Sequence, residues 1–228
     1  MPTYARKHQL SASLIYHIYN RSNTRISIFK SKEDFCCFMD LLNRYSSRFD
    51  LKIYHWVIMS NHYHLLLELE EPERISKIMA GLSKAYSCYH HKVYFVSGFL
   101  WQGRFKLQPV QKERYLAACG RYIERNPVRA KMVDEAYAYS YSSARFYCLG
   151  EADGITTEDP TFQRFGPDLT SRRDSYIEFL RNFDNEEEKS FNNLEQPAGN
   201  KEFIRRLLKE NGRFVPRGRG RPSKRIVV

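Results

Sequence analysis

Hydrophobic and polar positions change period several times along the chain, and each change marks an element. The run LIYHIYNR near the start mixes aliphatic and aromatic residues with polar ones, as a half-buried strand does. From Ser31 the period lengthens. Phe35, Phe38, Met39, Leu42 and Tyr45 recur at spacings of three and four behind a Ser31/Asp34 pair of capping-box type, which predicts an amphipathic helix. LKIYHWVIM and HYHLLLELE then read as two strands joined through Ser60–Asn61 into an antiparallel hairpin. Pro72 opens a second helical stretch to about Tyr94, with Ile75, Ile78, Met79, Leu82, Ala85, Tyr86 and Tyr89 on its apolar face and Gly98 beyond its end. FKLQPV at 105–110 is a short strand whose Pro109 suits an edge or a strand end. A further helix runs from about Gln111 to Asn126 and stops at Pro127.

The order β-α-β-β-α-β followed by a helix is the ferredoxin-like split βαβ arrangement. The expected fold class is therefore α+β: an antiparallel sheet with helices, one added helix, and a small helical or disordered C-terminal extension. Beyond Gly150 the turn-rich EADGITTEDP precedes helical patterns near 171–183 and 200–210, and the polar NEEEKSFNNLEQPAGN between them reads as part of a small or partly mobile appendage. The expected organisation is a domain over 1–150, a helical appendage over 151–211 and a basic tail over 212–228.

Charge narrows the choice of partner. The 228 residues hold 37 Lys plus Arg against 26 Asp plus Glu, a formal net charge of +11, which points to a polyanion, either nucleic acid or an acidic membrane surface. Residues 212–228 carry six basic and no acidic residues, more than half of that net charge. Within them Arg219, Gly220, Arg221 and Pro222, preceded by Arg217, resemble an AT-hook core suited to a narrow minor groove, or else form a generic phosphate-binding tail. No apolar run approaches the roughly 18 residues of a membrane span, and the N-terminus lacks the apolar stretch of a secretory signal, so a cytoplasmic location is expected. The cysteines, Cys36, Cys37, Cys88, Cys119 and Cys148, are odd in number and scattered, which predicts reduced thiols filling the core.

Candidate chemistry begins at HYHLLLELE. Alternation puts His62, His64, Leu66 and Glu68 on one face of the strand and Tyr63, Leu65, Leu67 and Leu69 on the other. Two imidazoles on one face of a rigid strand can share a cation, or they can be two partly exposed strand histidines. On the helix 111–126, Tyr122 and Asn126 lie four apart and project together, while Leu116, Cys119 and Ile123 form a stripe able to pack on the sheet. His55 reads as a partner supporting the site's ligands or, in preference, as an ordinary sheet residue, the adjacent His90 and His91 as surface residues, and Tyr139, Tyr141, Ser142, Ser143 and Arg145 as packing or as hairpin contacts.

The segments MSNHYHLLLE, LWQGRFK, RYIERNPVRA and YSYSSARFY, in this order, resemble the REP-associated members of the HUH single-tyrosine transposases over roughly residues 10–148. The resemblance implies a divalent metal, Mg2+ or Mn2+, bound by His62, His64 and Asn126, with Tyr63 as the bulky residue between the histidines. It makes Tyr122 the nucleophile, so that the added helix is the one bearing it. It also implies cleavage and rejoining of single-stranded or hairpin DNA, of repetitive palindromic type, through a 5′-phosphotyrosine, by a monomer associated with the bacterial nucleoid. Imidazole ligands alone would favour zinc or manganese. Arg104 and Lys106 around Phe105, and Arg121 and Arg125 on the nucleophile helix, join Arg217, Arg219 and Arg221 as nucleic-acid-binding candidates. A catalytically silent DNA- or RNA-hairpin-binding regulator is the alternative.

Overall fold

The computed structural model describes residues 10, 14–112, 114–183, 185–194 and 196–211. The tail candidates Arg217, Arg219 and Arg221 lie outside them. Four strands, β1 (Ile15–Arg21), β2 (Lys52–Ile58), β3 (His62–Glu68) and β4 (Lys106–Val110), form one antiparallel sheet of order β2-β3-β1-β4. The expected α+β, ferredoxin-like order is thus realised, with β4 and its Pro109 at an edge.

Helix α1 (Lys32–Phe49) starts on the foreseen capping box of Ser31 and Asp34. With α2 (Ile75–Tyr94) it covers one face of the sheet, burying Phe38, Leu42, Ile78, Met79, Leu82 and Tyr86 against Tyr63, Leu65 and Leu67. Each such side chain contributes roughly 1.5–3 kcal/mol by leaving water. The alternate residues of β3 turn the other way. There Leu66 joins Ile15, Val57 and Val110 beneath Leu116, Cys119, Tyr122 and Ile123 of α3 (Arg114–Glu124). Both faces of the sheet are therefore covered, where sequence patterning assigned a core to one.

Pro127 does not end the helical path. Arg125 links α3 to a short α4 (Asn126–Arg129) that carries the proline in its first turn, where a missing N–H is tolerated. The carbonyl of Ile123, which a residue at 127 would otherwise satisfy, accepts a 2.9 Å bond from Asn126 Nδ2 instead.

Beyond α5 (Ala144–Leu149) the chain packs back onto the sheet domain. Phe162, with Tyr176 and Leu180 of α6 (Leu169–Arg181), clusters with Ala136, Ala144, Tyr147 and Cys148. The polar stretch expected to be loose forms α7 (Asn185–Asn192), whose Phe191 is fully buried against α3. Phe203 and Leu207 of α8 (Lys201–Asn211) enter the main core. The cysteines are free, but only Cys119 and Cys148 are buried, while Cys36 and Cys88 are exposed. His90 is buried rather than on the surface.

Candidate active site

The residues that set the position of α3 lie beneath it. His55, on the same face of the sheet as Leu66, is fully buried, with Nδ1 at 2.8 Å from Glu124 Oε1 and Nε2 at 3.0 Å from Asp159 Oδ2. Glu124 also accepts from Ser143 Oγ at 2.6 Å and Tyr176 Oη at 2.8 Å. Burial alone would drive the proton off His55, but the two carboxylates outweigh it and raise its pKa to about 9. His55 is therefore the charged centre of a cluster rather than an ordinary sheet residue. Gly120 of α3 rests directly on this ring, and a Cβ there would lie 2.6 Å from its atoms. The helix can approach the sheet this closely because position 120 has no side chain.

Two residues on, Tyr122 projects over the paired histidines. Its ring centroid lies 5.9 Å from that of His64 and 5.7 Å from that of His17, a residue that sequence patterning did not single out. His17 is opposite Leu66 and Gln108 in the sheet register, so its ring falls beside His64. A hydrogen-bond chain then fixes the tautomers. The Gln108 amide nitrogen donates to the carbonyls of Ser190, Asn193 and Gln196, leaving Oε1 to accept from His17 Nδ1 at 3.2 Å. A neutral His17 must then accept through Nε2, so His64 Nδ1 donates across 2.8 Å and its Nε2 keeps a lone pair.

The second histidine follows the same logic. Asn61 donates to the Arg25 carbonyl, and its Oδ1 accepts from His62 Nδ1 at 2.6 Å, leaving His62 Nε2 with a lone pair. Burial, aided by the charges of Arg21 and Arg129, lowers the pKa of His62 to about 4, and burial and neighbouring positive charge hold His64 well below its usual value. Both rings are neutral at pH 7. Asn126 spends its amide nitrogen on the carbonyls of Tyr122 and Ile123 and comes within hydrogen-bond reach of His62. With the nitrogen so occupied, the group that meets His62 is the amide oxygen.

Two imidazole lone pairs and one amide oxygen suit a divalent cation. Among the described residues no cluster of three or more histidine, cysteine, aspartate and glutamate side chains adds a carboxylate or thiolate cage. The donor set is uncharged, so an anionic phosphate would have to supply the balancing charge.

The structure brings His62, His64, Asn126 and Tyr122 together, yet it does not leave the phenol open. Tyr122 is 5% exposed. Its hydroxyl donates to Asn192 Oδ1 at 3.0 Å, and Phe191 packs 5.6 Å from its ring. Burial raises the phenol's pKa, while the neighbouring Arg129 opposes the rise. Arg129 stacks 4.1 Å from the ring and bonds Glu188 of α7 at 3.0 Å.

Arg121 and Arg125, expected to face nucleic acid, are buried beneath the C-terminal helices. Arg121 donates to the carbonyls of Phe179 and Asn182, and Arg125 to that of Leu180 at 2.6 Å, with Glu188 alongside. They tie α6 and α7 to α3. Arg104 and Lys106 are exposed. The Tyr139 hydroxyl and the Ser143 backbone N–H donate to the carbonyls of Ile58 and Trp56, and both residues act in packing.

The site is thus a tyrosine-bearing helix laid over paired imidazoles, on a four-stranded antiparallel sheet in a strongly basic chain. The chain belongs to the family described as "Transposase IS200 like", whose model matches residues 11–126. Its fold is similar to the structure of a REP-associated tyrosine transposase bound to a REP hairpin, with 18% identity and a TM-score of 0.54, covering 70% of this chain and 90% of that one. A Deinococcus radiodurans R1 protein provisionally described as a transposase gives 17% identity and a TM-score of 0.38, over 58% of this chain and 92% of that one. No curated protein sequence matches the chain.

Proposed function

We propose that this transposase cleaves and rejoins single-stranded or hairpin DNA through a covalent bond between Tyr122 and a 5′-phosphate. The observation that carries the reading is the placement of the His62 and His64 rings, each hydrogen-bonded through Nδ1, beside the Tyr122 phenol and the Asn126 amide. A divalent cation, Mg2+ or Mn2+, held by His62, His64 and Asn126, would neutralise the non-bridging phosphate oxygens. Tyr122 Oη attacks phosphorus in line. One P–O bond forms as the phenol gives up its proton and the bond to the departing 3′-oxygen breaks, and that oxygen takes up a proton in turn.

Arg129 faces the phenol and favours its anionic form once Tyr122 leaves Asn192. Because the phosphotyrosine retains the phosphodiester bond, a second 3′-hydroxyl reverses the step without ATP. The relative's bound REP hairpin supports a palindromic hairpin as substrate. We further propose that the protein works as a monomer in the cytoplasm, at the nucleoid. The described residues contain no helix long and apolar enough to cross a membrane.

The sealed phenol favours a second reading, a hairpin-binding regulator that no longer cuts. Labelled hairpin DNA incubated with Mn2+ and resolved on a denaturing gel separates the two. Wild-type protein should yield a covalent adduct that chelator and Tyr122→Phe each abolish. An undiminished adduct in Tyr122→Phe would disprove the nucleophile, and no adduct from any form, including one with α7 loosened, leaves the binding-only reading.

A further inference from the structure

Beyond the end of β1 lies a surface that the cleavage chemistry does not use. Phe95 and Phe99 are 95% and 91% exposed, and Val93 and Val96, next to them in sequence, are partly exposed as well. Such exposure of two large aromatics is costly for a chain that folds for its own sake. Phe95 also occupies the left-handed position that ends α2, at φ 52°, where glycine is the usual residue. Local structure therefore gives no reason for a phenylalanine there.

Residues 100–102 of this segment are held next to the candidate active site, while Phe95 closes α2 on the opposite face of the sheet. Ser22 pairs with Trp101, Asn23 N–H donates to the Leu100 carbonyl at 2.8 Å, and Gln102 N–H donates to the Arg21 carbonyl at 2.9 Å. Trp101 is anchored inward through its bond to the Ser83 carbonyl, while Phe99 stays in solvent. Arg21 is the register partner of His62, and Tyr19, whose ring contacts His62 and His64, is the partner of Lys106. Arg21 and Lys106 thus flank the imidazoles on their own face of the sheet. Residues 21–30 and 90–106 hold Arg21, Arg25, Lys30, Lys92, Arg104 and Lys106 and no acidic residue.

Exposed aromatic rings on segments rich in basic residues suit unpaired nucleic acid, whose bases offer stacking faces and whose backbone offers charge. We propose that this surface guides the single-stranded DNA flanking a hairpin toward the histidine pair. Phe95 and Phe99 stack unpaired bases, and Arg104 and Lys106 hold the phosphates. The proposal rests on the DNA-cleaving reading for its substrate, but its test does not require cutting.

The test is fluorescence anisotropy of the full-length protein in chelator, with a hairpin bearing a single-stranded thymidine extension and the same hairpin blunt. Wild-type protein should prefer the extended hairpin. The double variant Phe95→Ala, Phe99→Ala should lose at least about tenfold in affinity for it, in line with base–aromatic stacking. It should leave blunt-hairpin binding and the salt slope unchanged. Arg104→Ala with Lys106→Ala should instead reduce the salt slope by about 1.4, roughly 0.7 for each phosphate contact to a single strand. Equal affinity of the aromatic variant and wild type for the extended hairpin overturns the proposal. So does a sedimentation experiment in which wild-type protein self-associates and the aromatic variant does not, since the patch would then face a second copy. Loss of extension preference in a protein that forms no adduct would uphold this surface and fail only the cleavage reading.

Discussion

The cover over Tyr122 has a measurable strength. For the phenol to reach a phosphate, α7 must leave, exposing Phe191 and breaking the Tyr122–Asn192 bond and the Arg129–Glu188 ion pair. Phe191 is fully buried. Its truncation to alanine should weaken the closed state by about 3 kcal/mol, the lower end of the range for buried phenylalanine. At 1.36 kcal/mol per factor of ten, that raises the open-to-closed ratio by about two orders of magnitude. Asn192→Ala removes one neutral hydrogen bond, worth about 1 kcal/mol, and should raise the ratio about fivefold. Single-turnover formation of the protein–DNA adduct, measured with each variant in excess over labelled hairpin, reads this ratio until opening ceases to limit the rate. The expected order is Phe191→Ala fastest, Asn192→Ala next and wild type slowest, with thermal melts confirming that each variant remains folded. A folded Phe191→Ala protein that forms adduct no faster than wild type would refute the argument, and a slower one would make α7 a support for the tyrosine rather than a cover.

Gly120→Ala should destabilise the protein by about 1–3 kcal/mol through overpacking, although helix propensity alone favours alanine by about 1 kcal/mol. The new Cβ meets a His55 ring held on both sides by Glu124 and Asp159, and a higher urea midpoint in the variant would contradict this. The same ring predicts a pH dependence. Its folded pKa of about 9 lies above the unfolded 6.5, so its stabilisation is complete below the unfolded value and is lost as pH rises through about 9. The melting temperature should therefore fall between roughly pH 6.5 and 9 and level off above that, and the absence of that step in wild-type protein, or its persistence in His55→Gln, would show that His55 is not charged in the fold.

Elements whose hydrophobic period was long and uninterrupted were legible in the sequence. The capping box at Ser31, the alternation in HYHLLLELE and the edge placement of Pro109 all follow from local rules that the tertiary structure does not overrule. The proximity of His62, His64, Tyr122 and Asn126 followed from strand and helix periodicity together with the family resemblance. What escaped depends on partners distant in sequence. His17 becomes part of the site only because β1 lies between β3 and β4, which sets it against His64 and Gln108, and no local pattern marks that order. Arg121 and Arg125 look like solvent-facing cations on a basic helix until α6 and α7 supply carbonyls and a carboxylate to meet them. Helix α7 itself is polar at nearly every position. Its single apolar anchor, Phe191, docks on α3 while Gln108 bonds three backbone carbonyls in and just beyond the helix. A segment held by one ring and by hydrogen bonds to its main chain leaves almost no periodic trace, so the residues that mask Tyr122 are those that sequence patterning is least able to reveal.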